Sequence, residues 1–374
     1  MSNFLNYRDE VGFTLIELLV ALAISSIFLA GVIKIFSTSS TSYSLQEDIT
    51  AMQQNLRVGD MFIERDVRMA GCGMSGQLYY SGVANNAIFP INFTDNISGA
   101  ANSDTLTIKY VKIDSVSCSG NAPPSLTLTS EMPKDSAVAI VTQDLTSSTQ
   151  PPTPPYTTWD NGFYCLGNPM CDPTTGFCTA SGGQNAYRVI ITSPDGTKSD
   201  LLNITQVIPN SNKLQNNASQ LFGGIGNKIM NSYPAGSTIS FFNDASFFVV
   251  TYSYYPTDGT LHRTTCAANL TTTCPSVNDS TTTIADNIED LQFAFGLDTT
   301  GNGTVDTWVN SGALTAAQQS QIRLVRINIL GRTAHQHPGQ TSTRQAVEDH
   351  TAATVADHYT RQLLTTTVEV RNMR

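Results

Sequence analysis

The first patterned segment is an uninterrupted apolar run from Phe13 to Ile33, reading FTLIELLVALAISSIFLAGVI. It is long enough to cross a bilayer as a helix of about 20 residues. One charge interrupts it. Glu17 lies near the start of the run, where a lone carboxylate costs on the order of 2.5 to 3.5 kcal/mol at the bilayer centre and less towards its edge. Past a Ser/Thr patch from Ser37 to Ser44, residues Leu45, Ile49, Met52, Leu56, Ile63 and Val67 recur at helical spacings, and Glu64 and Arg68 form an i,i+4 pair on another face. Gly71 and Gly73, around Cys72, supply a stop signal. The pattern predicts a helix from Phe13 to Ala70, roughly 85 Å long at about 1.5 Å per residue, which the Ser/Thr patch could bend or fray. Its outer half carries one apolar stripe, and that stripe requires a partner surface, most simply a sheet of the same chain.

After Gly76 the chain reads as short strands separated by Gly, Pro, Asn and Ser clusters: Leu106 to Ile113, Ala137 to Thr142, Tyr187 to Thr192, Thr238 to Phe242 and Phe247 to Tyr255. Between them, Gln150 to Gly183 holds QPPTPPYTTWDNG and three cysteines. It reads as a projecting loop, since Pro-Pro pairs favour extended backbone and resist a central strand; a Pro-rich docking ligand is the alternative. Towards the end Leu291, Phe293 and Phe295 alternate, and Ile322 to Leu330 and Thr365 to Arg371 supply further strands of one antiparallel sheet.

Composition narrows the setting. With 374 residues the chain has ample core for one large or two modest domains. Charged residues make up only 13%, against about 25% in an ordinary soluble protein, which suits a hydroxyl-rich extracytoplasmic surface. A net charge of −10 offers no attraction to a phosphate backbone, so direct nucleic-acid binding is not expected. The seven cysteines (72, 118, 165, 171, 178, 266 and 274) fit neither a zinc knuckle nor a Cys-x-x-Cys redox motif. They read mostly as disulfides of an oxidising compartment, the odd count leaving at least one unpaired or paired between chains. Cys266 and Cys274 are the easiest pair to propose, because the strand-like flanks Thr260 to Thr265 and Thr281 to Ile284 bring them together; so short a loop is worth roughly 2 to 3 kcal/mol.

The polar leader MSNFLNYRDEVG ends in Gly12, and the junction Gly12-Phe13-Thr14-Leu15-Ile16-Glu17 closely resembles the prepilin cleavage site of type IV pilins and type II secretion pseudopilins. The resemblance implies that a membrane prepilin peptidase cuts after Gly12 and methylates Phe13, and that the apolar helix is an assembly element. It also implies a counterion for Glu17, the free amine of Phe13 on a neighbouring subunit, so that two costly charges offset each other on assembly. The leader departs from the usual basic pattern, with Arg8 followed by Asp9 and Glu10, but Arg8 and the initiator amine still favour a cytoplasmic start. At the other end, IEDLQFAFGLD, Trp308, IRLVRINILGR and TTTVEVRN resemble PilW-type minor pilins and, more distantly, the J-type minor pseudopilin.

The resemblance implies a pilin-like α+β fold: a long N-terminal helix, half transmembrane, packed on an antiparallel β-sheet, with a large β- and loop-rich insertion. The corresponding segments are a leader (1–12), a transmembrane assembly helix (13–36), the periplasmic half of that helix (37–71) and a β-rich extracytoplasmic head (72–374). The expected role is structural: initiating pilus assembly with other minor pilins and the major pilin, first from the inner membrane and then from the pilus tip, in support of twitching motility, adhesion or DNA uptake. The alternatives are a J-type pseudopilin of type II secretion and a tip adhesin.

No other chemistry competes strongly. Asp298, Asn302, Thr304 and Asp306 alternate around glycines like the opening half of an EF-hand calcium loop, but Val309 stands where a bidentate Glu should close the shell and Thr300 where Asp or Asn is usual. A Gly/Asn turn between two strands is the favoured reading, with calcium binding as the alternative. His335, His337, His350 and His358 read as residues of a solvated polar loop, and Gly223 to Gly226 as a turn lacking the full phosphate-loop motif. Neither a His-Glu-x-x-His nor a Gly-x-Ser-x-Gly motif occurs, and no catalytic residue is expected.

Overall fold

The structure is a computed structural model, and it describes residues 13–74, 77–80, 87–96, 103–111, 125–142, 188–208, 211–216, 227–242, 247–266 and 279–373. Helix α1 (Leu15–Met69) leads into β1 (Leu78–Tyr79), β2 (Ala87–Ile88), β3 (Ile91–Thr94) and β4 (Thr105–Val111). Then come β5 (Leu126–Thr127), β6 (Val138–Ile140), β7 (Arg188–Thr192), β8 (Ser199–Asn203), β9 (Gln206–Ile208), β10 (Lys213–Gln215) and β11 (Thr238–Phe242). The last part holds β12 (Phe247–Tyr255), β13 (Thr260–Cys266), β14 (Ser280–Ala285), β15 (Ile288–Leu297), β16 (Thr307–Val309), α2 (Ala316–Ser320), β17 (Ile322–Arg332) and β18 (Arg361–Glu369).

The α+β class and the packed helix are as the sequence implies. The Ser/Thr patch does not break α1, because Thr41 and Ser42 donate their hydroxyls to the carbonyls of Ser37 and Thr38 one turn back and so stay within the helical ladder. Several strand boundaries move: Leu106 to Ile113 becomes Thr105–Val111, Thr365 to Arg371 becomes Arg361–Glu369, Ala137 to Thr142 shortens to Val138–Ile140, and Ile322 to Leu330 extends to Arg332. In the second case the shift follows pairing to the long β17, whose Leu324 to Arg332 face Glu369 to Arg361 residue by residue.

Two antiparallel sheets form the body, ordered β14-β13-β12-β4-β3 and β16-β15-β17-β18. Helix α1 lies across them and contributes Met52, Leu56, Ile63 and Val67 to one core with Leu106, Ile108, Leu261, Phe293, Ile327 and Ile329. The predicted stripe is therefore the buried face, and each such side chain contributes about 1.5 to 3 kcal/mol by burial. Helix and sheet approach closely at Gly331, where a Cβ would stand 3.1 Å from Leu56 and 3.2 Å from Met52. The helix ends at Ala70, and Gly71 then takes a φ of 74°, with the Asn372 carbonyl oxygen 3.0 Å from where a Cβ would lie. Gly71→Ala is accordingly expected to lower stability by about 1 to 2 kcal/mol, visible as a lower midpoint in urea unfolding.

Residues 112–246 interrupt one hairpin of the body. β4 and β12 are direct neighbours, with Val111 facing Phe247, and the intervening chain builds most of a second unit with sheets β2-β1-β8-β7-β11-β5 and β6-β10-β9. That unit has its own core, including Leu126, Met132, Val189, Leu202, Tyr233 and Ile239. A smaller cluster of Met74, Leu78, Ile190, Leu201, Phe247 and Val249 seams it to the body. The insertion departs beside the far end of α1, where Val111 N–H donates to the Cys72 carbonyl at 2.8 Å. It thus stands at the end of the body most distant from the apolar run.

Candidate assembly site on the long helix

Glu17 occupies the first turn of α1 and closes a capping box with Thr14. The Thr14 N–H and hydroxyl both donate to Glu17 Oε2 at 2.9 Å, and the Glu17 N–H donates to Thr14 Oγ1 at 3.3 Å. A carboxylate suits this position because the first turn of a helix leaves N–H groups unpaired and carries partial positive charge. Around it Phe13, Leu15, Ile16, Leu18 and Leu19 are exposed, as are Ile24, Phe28, Ile33 and Phe36 further along. The helix is long and apolar enough to cross a membrane, and its apolar part is untouched by the head. The structure thus presents Phe13 and Glu17 together on an unclad apolar rod. Gly12 and the leader lie outside the described residues.

Polar anchors hold the distal half of α1 to the head. Buried Asp66 accepts from the Tyr252 hydroxyl at 2.7 Å, from Arg263 Nε at 2.7 Å and from Arg65 Nε at 3.1 Å. Burial and the adjacent Asp66 charge push the Tyr252 hydroxyl pKa well up, so it remains the proton donor. Asp60 Oδ2 accepts from the Thr366 hydroxyl at 2.9 Å. At the membrane-proximal edge of the head, Asp48 meets His337 Nε2 at 2.9 Å and His335 Nδ1 at 3.2 Å. Burial opposes Asp48 ionisation, but the hydrogen bonds from His337 and His335 outweigh it and hold the carboxyl below its usual range. These carboxylates went unnoticed in the sequence, although Asp48 and Asp66 fall in phase with the buried stripe, a position where a charge needs a partner.

His335 and His358 are exposed loop residues as expected, but the other two histidines depart from the solvated-loop expectation. His337 and His350 are buried, and His350 Nδ1 lies 2.9 Å from Asp290 Oδ2, which also accepts from Arg344 Nη1 at 3.0 Å. Burial disfavours the charged imidazole, but Asp290 more than compensates and raises the His350 pKa. The polar sequence conceals this because the partners are distant: Asp290 of β15 stands sixty residues from His350, and His337 meets Asp48 of α1. Nearby Asp104 is fully buried; burial first, and then the charges of Asp95 and Asp349, push its pKa up to about 7 despite an N–H bond from Phe293 at 2.9 Å. Its folded-state pKa exceeds the unfolded one, so stability is greatest below about pH 4 for this group and falls as pH rises towards 7. Asp104→Asn is expected to stabilise the chain at pH 8 by up to about 4 kcal/mol and to lose that advantage at pH 4, as measured by urea unfolding at both pH values.

The proposed calcium residues form one loop whose carboxylates turn inward. Asp298 accepts the N–H groups of Gly301, Asn302 and Gly303 at 2.7 to 3.0 Å, and Asp306 accepts those of Thr299 and Thr300 at 2.8 and 3.0 Å. Asn302 Oδ1 accepts from the Thr304 N–H at 2.8 Å. Among the described residues no group of three or more His, Cys, Asp or Glu side chains is set to hold a metal ion. Cys266 is disulfide-bonded; Cys274, the Gln150 to Gly183 loop with its three cysteines, and Gly223 to Gly226 lie outside the described residues.

The described residues thus combine a capped apolar rod with a β-rich head. The prokaryotic N-terminal methylation motif matches residues 12–33, which implies processing by a prepilin peptidase and pilus partners. The type IV pilus-assembly protein W family, PilW, matches residues 246–372, the stretch from β12 through β18. The two matches support a type IV pilus minor pilin of PilW type, anchored by its N-terminal helix in the inner membrane and incorporated into the pilus. A type IV-like pilin from Thermus thermophilus aligns with a TM-score of 0.34 at 8% identity, over 86% of this chain and 96% of that one, a likeness too remote to define the fold. No curated protein matches the chain.

Proposed function

We propose that this minor pilin takes a rare or terminal position and initiates pilus assembly with other minor pilins, in support of twitching motility, adhesion or DNA uptake. The observation that carries this reading is the place of the insertion, a second cored unit beside the far end of α1. One such unit on every subunit would crowd a close-packed fibre, whereas a single copy at the end meets no neighbour above it. Glu17 pairs with the Phe13 amine of an adjacent subunit in this reading, and Gly12 is the last leader residue removed. The PilW match favours the pilus over the J-type pseudopilin of type II secretion. Immunogold labelling against the insertion is expected to mark pilus ends; uniform labelling along the shaft would overturn the terminal position. Deleting Gln150 to Gly183 while scoring piliation and surface attachment separately tests the adhesin role: attachment should fall with piliation intact.

A further inference from the structure

We propose that the chain joining β17 to β18, residues 333–360, is a proton-operated strap: a doubly protonated His350 latches its central hairpin to the sheet, and loss of one proton at mildly alkaline pH loosens it. The device belongs to the head alone and does not depend on the filament reading.

Leu291 and Phe293 of β15 and Ile327 and Ile329 of β17 turn into the core beneath α1, so Asp290, Gln292, Arg326 and Asn328 stand on the opposite face of the sheet. The strap crosses that face. Within it the stretch from Arg344 to Ala353 folds into a small hairpin, in which Val347 and His350 each donate a backbone N–H to the other's carbonyl at 3.0 and 2.9 Å. Glu348, at its turn, accepts from Arg326 Nε at 2.7 Å and from Asn328 Nδ2 at 2.8 Å, and takes a φ of 51°. A non-glycine residue keeps that left-handed conformation only under restraint.

His350 supplies part of the restraint. Its side chain is 6% exposed, and both ring nitrogens face acceptors: Nδ1 lies 2.9 Å from Asp290 Oδ2, and Nε2 lies 3.2 Å from the Asn96 carbonyl oxygen at the end of β3. A neutral imidazole carries one N–H and serves one of these partners, whereas the imidazolium serves both. Gln292 Nε2, at 3.1 and 3.3 Å, is nearly equidistant from the two nitrogens and so lies over the ring face, while it donates to Asp290 Oδ1 at 3.1 Å. Arg344 Nη1 reaches Asp290 Oδ2 at 3.0 Å and Nη2 the Thr351 carbonyl at 2.7 Å, contacts that stay charged at any working pH. The bond that joins the hairpin to β3 is therefore the one that a single proton controls.

The surrounding acids act with the same sign. Asp95 from the end of β3, Asp104 just before β4, Asp290 from β15 and Asp349 from the hairpin gather near the imidazole. Asp95 Oδ1 and Asp349 Oδ1 are closed off from solvent with no hydrogen-bond partner among the described residues. Burial opposes the imidazolium, but Asp290, the Asn96 carbonyl and Asp349 outweigh it and raise the His350 pKa. Its contribution to the closed strap is thus complete below about pH 6.5 and fades as pH climbs through the raised value. Asp104 and Asp349, raised by burial and then by neighbouring carboxylates, likewise disfavour the closed form as they ionise.

Hydrogen exchange of the full-length, detergent-solubilised chain, read by mass spectrometry at about pH 6 and about pH 8.5 and corrected for intrinsic exchange, tests the latch. Protection of peptides spanning residues 343–353 is expected to fall at least about tenfold at the higher pH, with β15 and β17 unchanged. His350→Gln should give the low protection at both pH values, and Asp104→Asn should retain the step because His350 still titrates. Equal protection of the wild-type strap at the two pH values would overturn the proposal, a comparison that stands even where His350→Gln does not fold. So would a wild-type step in His350→Gln, a step abolished by Asp104→Asn alone, or a joint loss of protection in β15 and β17, which would be unfolding of the body.

Discussion

A Glu17→Gln chain is expected to be processed and inserted in the inner membrane like the wild type, yet to reach sheared pili at a level lower by roughly 10²-fold. The amide still accepts a hydrogen bond from Thr14, so the first turn of α1 keeps its cap. What disappears is the charge, and with it the proposed pairing to an incoming Phe13 amine. Removing one member of an ion pair held in apolar surroundings leaves the other uncompensated, at a cost of about 3 to 5 kcal/mol. At about 1.4 kcal/mol per decade that is roughly two to three and a half decades of incorporation, and the lower end is the expectation stated above. Immunoblots of the sheared-pilus and membrane fractions provide the measurement, and normal recovery from pili would refute the pairing.

The second large effect belongs to Asp66→Ala, which is expected to destabilise the full-length chain by about 3 to 5 kcal/mol in urea unfolding of the detergent-solubilised protein. The substitution strands Arg263, which aims at the carboxylate from the helix-sheet interface, and leaves the Tyr252 hydroxyl only the Phe62 carbonyl oxygen, 2.8 Å away. Asp66→Asn keeps one acceptor and should recover about half of the loss. A change below about 1 kcal/mol for the alanine variant would mean that the apolar stripe alone seats the helix.

The contrast between these two acids shows what could be read from the chain. Glu17 announced itself as a single charge in an apolar run, and Met52, Leu56, Ile63 and Val67 followed a helical period. The alternation of Leu291, Phe293 and Phe295 placed β15 in the same way. Periodicity is a local signal, and it located the elements of the body. It carried nothing about Asp48 and His337, or about Asp290 and His350, because a hydrogen bond between distant segments leaves no spacing to detect. In the insertion β6, β7 and β11 were legible, whereas β5, β9 and β10, of two or three residues each, were too brief for alternation to register.

The interrupted hairpin also fixes an order of events during folding. β4 cannot meet β12 until residues 112–246 have emerged, and α1 waits longer still for β17 and β18, which come from the last part of the chain. Such distant pairings delay consolidation, since the loop entropy is surrendered before the contacts form. The amphipathic stripe of α1 therefore spends the whole of translocation uncovered beside the bilayer, and the unit with the independent core is placed to fold before the body that bears it. A chaperone that shields the nascent helix until its carboxy-terminal strands arrive would address the longest exposure this topology creates.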